Sequence, residues 1–301
     1  MAHHHHHHMA DQNPDLKVEE ALKGADIKLL LIDFDGTLFV DKDIKVPSEN
    51  IDAIKEAIEK GYMVSICTGR SKVGILSAFG EENLKKMNFY GMPGVYINGT
   101  IVYDQIGYTL LDETIETDVY AELISYLVEK NLVNQTIFHR GESNYVTEDN
   151  KYADFLQKMY SENRSIIIRH NEMLKYRTMN KLMIVLDPSE SKTVIGNLKQ
   201  KFKNKLTIFT TYNGHAEVTK LGHDKYTGIN YLLKHYNISN DQVLVVGDAE
   251  NDIAMLSNFK YSFAVANATD SAKSHAKCVL PVSHREGAVA YLLKKVFDLK
   301  K

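Results

Sequence analysis

Asp33-Phe34-Asp35-Gly36-Thr37 sets two carboxylates at positions i and i+2, directly after the apolar run 27–32. In extended backbone such positions project to the same side. Two acids held that way repel unless a cation or a shared proton relieves them. Gly247-Asp248-Ala249-Glu250-Asn251-Asp252 follows a second apolar run, 243–246. Gly247 lets the backbone turn or be closely approached, and a simple helix N-cap does not call for two Asp and an Asn. Hard oxygen ligands of this kind suit Mg²⁺. Thr68-Gly69-Arg70-Ser71 comes directly after residues 64–67. A hydroxyl with free N–H groups where a strand leads into a helix can bind phosphate, although a Thr N-cap explains the same residues. Lys225 opens a helical pattern, where its charge opposes the helix dipole. A neighbouring anionic site would account for it; a solvated surface Lys is the plainer reading.

The elements that must position these groups follow from periodicity. Residues 27–32 and 64–67 are short apolar runs of the kind buried on both faces of a parallel sheet, as are 95–97, 243–246, 263–265 and 279–280. Helical stripes lie between them. Ile51, Ile54 and Ile58 share one, ending at Gly61, and Tyr226, Ile229, Leu233 and Tyr236 share another. Such alternation predicts βαβ units and a parallel α/β sheet covered by helices. Asp33, Asp35, Thr68, Asp248, Asn251 and Asp252 then fall at the tips of three buried strands, and ligands of such sheets sit beyond the strands' carboxyl ends.

The middle of the chain differs. Amphipathic helices are expected around Tyr120–Val128, Tyr152–Tyr160 and Val194–Phe202, with strands at 136–138, 145–147, 166–168, 181–186 and 206–210. This is an α+β block of about domain size, inserted into the parallel-sheet core. The organisation expected is a tag over residues 1–10, a discontinuous core at 25–112 and 209–301, and an insertion at 113–208. The acidic stretch Asp11–Glu20 reads as a frayed or helical extension.

Composition narrows the class. The chain has 301 residues, with 44% hydrophobic and 25% charged residues and a net charge of −3, which suits a globular protein and offers no basic footprint for nucleic acid or an anionic membrane. No apolar run approaches membrane-spanning length. No leader is recognisable after the histidine tag, which holds six of the 13 His. The remaining His (His139, His170, His215, His223, His235, His275 and His284) form no metal-ligand pair on one helical turn. Cys67 and Cys278 make no CxxC and read as small apolar residues in a reducing, cytoplasmic setting rather than as a nucleophile. No interface is marked, so a monomer is the default.

The sequence resembles the haloacid dehalogenase (HAD) superfamily. DFDGT, a strand ending in CTGR, Lys225 and GDAENDIAML match its four motifs in order. VYINGTIVYD, EVTKLGHDK and AVANATDSAK further resemble its Cof-type phosphatases. The resemblance covers the chain from about Ile27 onward. It departs at Tyr226 and Ala249, where Gly is common. It implies a Rossmann-like core with a large inserted α+β (C2-type) cap, and a Mg-dependent phosphatase acting on a small phosphorylated metabolite, sugar phosphates first. By that resemblance Asp33 is the nucleophile and Asp35 the acid–base. Thr68, Gly69, Lys225 and Asn251 bind the phosphoryl group. The Asp33 side chain, the Asp35 carbonyl and Asp248 hold Mg²⁺, and Asp252 supports them. Asp35 also speaks against transport ATPases, which have Thr there, and against dehalogenases, which lack the acid. A sugar phosphomutase shares the nucleophile, and a non-catalytic regulatory protein on this fold is the reading of another class.

Other positions are weaker candidates. Asn98-Gly99 is first a turn signal. Arg70, His139, Arg140, Tyr145, Asn180, Lys181 and His223 could face a substrate, but each reads more simply as a surface or helix-pairing residue.

Overall fold

The computed structural model describes residues 13–169, 171–173 and 178–301. The tag, Asp11 and His170 lie outside the described residues. In chain order the first elements are α1 (Pro14–Leu22), β1 (Leu29–Ile32), α2 (Ser48–Glu59), β2 (Met63–Cys67), α3 (Lys72–Phe79), α4 (Glu81–Met87), β3 (Gly94–Tyr96), β4 (Ile101–Tyr103) and β5 (Thr109–Asp112). Next come α5 (Thr117–Glu129), β6 (Thr136–Arg140), β7 (Ser143–Val146), α6 (Phe155–Tyr160), β8 (Ile166–Ile167), β9 (Lys181–Ile184), α7 (Pro188–Lys201), β10 (Leu206–Thr210) and β11 (Ala216–Lys220). The chain closes with α8 (Lys225–Tyr236), β12 (Val243–Gly247), α9 (Ile253–Asn258), β13 (Tyr261–Ala264), α10 (Asp270–His275), β14 (Cys278–Val279) and α11 (Ala288–Asp298). Two compact units result. Of the described residues, one unit holds those within Met1–Ile66, Glu81–Met92 and Leu233–Lys301; the other holds those within Cys67–Gly80 and Pro93–Leu232.

The first unit is built on a parallel ladder in the order β14-β13-β12-β1-β2. All four residues of β1 are fully buried, which is why they read as a continuous apolar run instead of an alternating one. The register sets Ile32 opposite Val246, so the residues that follow β1 and β12 emerge side by side. Asn50, buried in α2, ties this end together. Its Oδ1 accepts from Ala290 N of α11 at 2.9 Å and its Nδ2 donates to Leu38 O at 3.4 Å. The expected N-terminal extension is an ordered helix, not a frayed one. Val18 and Leu22, one turn apart, are fully buried, and Asp15 and Glu19 pair with Tyr291 and Lys295 of α11.

The second unit carries the antiparallel β3-β4-β5 ladder and a six-stranded sheet ordered β10-β11-β9-β6-β7-β8. That sheet is antiparallel except for the β7–β8 pair. It takes in β10 and β11, so it runs on past residue 208. One face, with Phe138, Leu182, Ile184 and Val218, packs under α5 and α7. The other buries Ile137, Val146 and Met183 against Leu156 of α6. At one end this second face turns polar. Thr219, Lys181, His139 and Asn144 stand opposite one another across four strands. The β4–β5 hairpin and β11 carried no clear sequence signal, because β4 has three residues and β11 mixes apolar with charged ones.

Candidate active site

In the first unit the loop after β1 is wound tightly. Phe34 O accepts from the N–H groups of Thr37, Leu38 and Phe39 at 3.2, 2.9 and 2.8 Å. Gly36 has φ +79°, and a Cβ there would lie 2.0 Å from Asp248 Oδ2. Only glycine permits this approach. Thr37 Oγ1 lies 3.2 Å from Asp33 Oδ2 and 3.3 Å from Asp248 Oδ1. One hydroxyl proton cannot serve both carboxylates at once.

The loop after β12 is fixed by Asp252, whose Oδ2 accepts from Asp248 N at 2.9 Å and Ala249 N at 3.2 Å. Gly247 makes room, since a Cβ there would come within 2.6 Å of Asp252 Cγ. Thr269 N donates to Asp248 O at 2.9 Å, and Asn267 Nδ2 donates to Gly36 O at 2.9 Å. Three loops are thereby locked together.

Asp33, Asp248 and Asp252 are all buried, with ligand atoms within 4.8 Å of one another. Burial and mutual repulsion both oppose three negative charges there, and a hard cation relieves both. The donor set, all carboxylate oxygen, fits Mg²⁺ in type. Asp35 and Asn251 stand in the same unit with half-buried side chains.

In the second unit Thr68 N donates to Val95 O at 2.9 Å, and Thr68 Oγ1 accepts from Arg70 N at 3.0 Å. The hydroxyl is thus used as an acceptor, and among the described residues its own proton meets no acceptor. The facing turn is strained. Ile97, Asn98 and Gly99 have φ of 49°, 54° and 88°, and a β-branched residue in this region is a genuine outlier. Asn98 N donates to Thr68 O at 3.0 Å, and Ile97 N to Arg70 O at 3.1 Å. On the other side of the turn a Cβ at Gly99 would fall 1.9 Å from Asp224 O, and one at Gly228 would come within 2.7 Å of Gly99 Cα. The turn is therefore the spacer between the Thr68 loop and the start of α8. Asp224 caps that helix, accepting from Thr227 N at 2.9 Å. Lys225 is fully buried rather than solvated.

The weaker candidates fall into place. Arg70 donates to Tyr160 O at 2.6 Å, and its guanidinium stacks on the Tyr160 ring. Arg140 and Asn180 bind Asp112 of β5, a structural tie. His223 stands beside Glu113 and Lys220, half-buried, and burial lowers its pKa. Tyr145 is half-buried at the edge of the core under α5 and α7. His139 is buried, not solvated. Desolvation, then Lys181, push its imidazole well below the usual range. Glu162, accepting from Ser71 N and Oγ at 2.9 Å each, is pushed up by burial. Thr37, Asn267 and Glu217 received no role from sequence. All three lie inside the stretches that carried the resemblance, which was the available signal.

The profile of the haloacid dehalogenase-like hydrolases matches residues 30–293. The chloroplastic endoribonuclease YBEY of Arabidopsis thaliana is 26% identical over 87% of this chain, which spans only 45% of that protein's length. The 5-amino-6-(5-phospho-D-ribitylamino)uracil phosphatase YwtE of Bacillus subtilis is 24% identical, with 90% of this chain and 99% of that one covered. The solved HAD subclass IIB sugar phosphatase BT4131 superposes with a TM-score of 0.76 at 22% identity, covering 90% and 99% of the two chains, and so shares the fold. The chain belongs to the haloacid dehalogenase-like hydrolase family.

Proposed function

We propose that the chain is a Mg²⁺-dependent phosphomonoesterase for small phosphorylated metabolites, sugar phosphates first, working through an aspartyl-phosphate on Asp33. The observation that carries this is the buried Asp33–Asp248–Asp252 cluster at the ends of adjacent parallel strands, with Asp35 two residues beyond Asp33. The names of YwtE and BT4131 support the substrate class.

An Asp33 oxygen attacks phosphorus as the bond to the leaving oxygen breaks, and Asp35 gives that oxygen a proton. Asp35 then takes a proton from water, which attacks phosphorus, freeing orthophosphate and restoring Asp33. Thr68, Gly69 N–H, Lys225 and Asn251 hold phosphoryl oxygens as charge builds on them. Asp252 supports the site by fixing the Asp248 loop. Mg²⁺ would be held by the Asp33 and Asp248 carboxylates and the Asp35 carbonyl. It would offset the charge that keeps an anionic nucleophile from an anionic ester. The inserted α+β region, which begins after Asp112, acts as a cap that admits substrate and then excludes bulk water.

Hydrolysis of p-nitrophenyl phosphate tests the reading. The expected result is turnover that needs Mg²⁺, stops with EDTA and is lost in Asp33→Asn. Retained turnover in Asp33→Asn contradicts it. No hydrolysis in the wild type, together with phosphoryl transfer on a sugar phosphate that needs a bisphosphate activator, would point to a mutase instead.

A further inference from the structure

Lys181 and Glu217 form a buried ion pair that the chemistry above does not use. Lys181 Nζ donates to Glu217 Oε2 at 2.5 Å, and both side chains are almost wholly buried. A buried pair is poor evidence of stability, because desolvation offsets much of the attraction. What distinguishes this pair is what else it holds. Lys181 Nζ also donates to Gly69 O at 2.7 Å, and Glu217 Oε1 accepts from Asn98 Nδ2 at 3.1 Å.

Gly69 C=O and Arg70 N–H belong to one peptide group, and that group is a rigid plane. Lys181 fixes its oxygen end. Its N–H end donates to Thr68 Oγ1 at 3.0 Å. The ammonium therefore sets the orientation of the N–H that the Thr68 hydroxyl accepts. With that bond made, the hydroxyl proton is directed away from Arg70. A cation on the carbonyl also polarises the amide and strengthens the N–H as a donor. Glu217 holds both Lys181 and the strained turn that faces Thr68.

We propose that Lys181, anchored by Glu217, is a positioning residue that orients the Thr68 hydroxyl through the Gly69–Arg70 peptide plane. The inference rests on the phosphatase reading and the Thr68 role within it. Neither residue is assigned a contact with the phosphoryl group. They join the inserted sheet, through β9 and β11, to the loop that binds it.

Lys181→Met alone would strand the Glu217 charge, so the informative variant is the double Lys181→Met/Glu217→Gln. It removes both charges and keeps an acceptor for Asn98. The double variant is expected to melt near the wild type and to lose about 10- to 100-fold in kcat on p-nitrophenyl phosphate, with a smaller change in KM. Added to Thr68→Ala it should cost little more, because both changes act through one hydroxyl. Orthophosphate affinity, measured by calorimetry, should weaken in the same non-additive way. A folded double variant with wild-type kcat and orthophosphate affinity overturns the proposal. So does a loss that multiplies fully with that of Thr68→Ala. Absence of hydrolysis in the wild type would overturn the phosphatase reading instead, and the calorimetric cycle would still report on the positioning.

Discussion

Gly36 and Asp248 approach so closely that a single methyl group on Gly36 would overlap the Asp248 carboxylate, at 2.0 Å from Oδ2. These residues are more than two hundred positions apart and meet only because β1 and β12 are parallel neighbours. Gly36→Ala would meet a positive φ, costing about 1–2 kcal/mol, and would also push Asp248 aside. Activity should fall about a hundredfold while thermal unfolding shows a folded protein. Wild-type kcat in Gly36→Ala would mean that the Asp248 position does not matter.

The Thr37 hydroxyl stands between Asp33 and Asp248. Thr37→Val keeps the shape and removes it. The expected effect is about a tenfold rise in the Mg²⁺ concentration for half-maximal activity, as for the loss of other outer-shell partners. An unchanged Mg²⁺ titration would show that the hydroxyl is only structural.

His139 gives a pH prediction. Its imidazole is held neutral in the fold, well below its usual range, by burial and by Lys181, while the unfolded chain protonates it near its ordinary value, about 6.5. The unfolded state therefore binds more protons below that value. Stability is full above about pH 6.5 and falls as pH drops through it, by at most about 1.4 kcal/mol per pH unit. His215, His223 and His284 are lowered too and add to the slope. Melting temperatures measured from about pH 7.5 to 5 should fall less steeply in His139→Gln than in the wild type. Identical slopes would refute this assignment.

Glu162 has the opposite sign. Burial raises its carboxyl above the usual range, against the lowering effect of Ser71, Lys181 and Arg70. Its contribution to stability is greatest at low pH and declines as pH rises from the unfolded value toward the folded one. Glu162→Gln keeps an acceptor for Ser71 N and Oγ. It should melt at or above the wild-type temperature at about pH 8, and the difference should shrink toward acid pH. A melting temperature below the wild type's at about pH 8 would show that Arg70 and Lys181 need the full charge.

Much of this was legible because it is local. Runs such as 27–32 and 243–246 announced buried parallel strands, and the carboxylates at their ends marked one half of the site. The buried state of Lys225 and the spacer role of Asn98-Gly99 were not legible. They depend on Gly99 meeting Asp224 and Gly228, contacts that no periodicity encodes. The same holds for Lys181 and Glu217, which sit in short strands as ordinary charged residues until the β9–β11 register sets them on one face. His139 read as a surface residue because a lone His carries no signal of what lies opposite it.

The central claim is that Asp33 carries the phosphoryl group, and trapping the intermediate tests it most directly. Enzyme turning over p-nitrophenyl phosphate with Mg²⁺ is quenched in acid and reduced with borohydride, which converts an aspartyl-phosphate to homoserine, and the peptides are then weighed. The account predicts homoserine at position 33 and none in Asp35 or Asp248. Homoserine at another aspartate, or rapid turnover that leaves residue 33 unmodified, would contradict it.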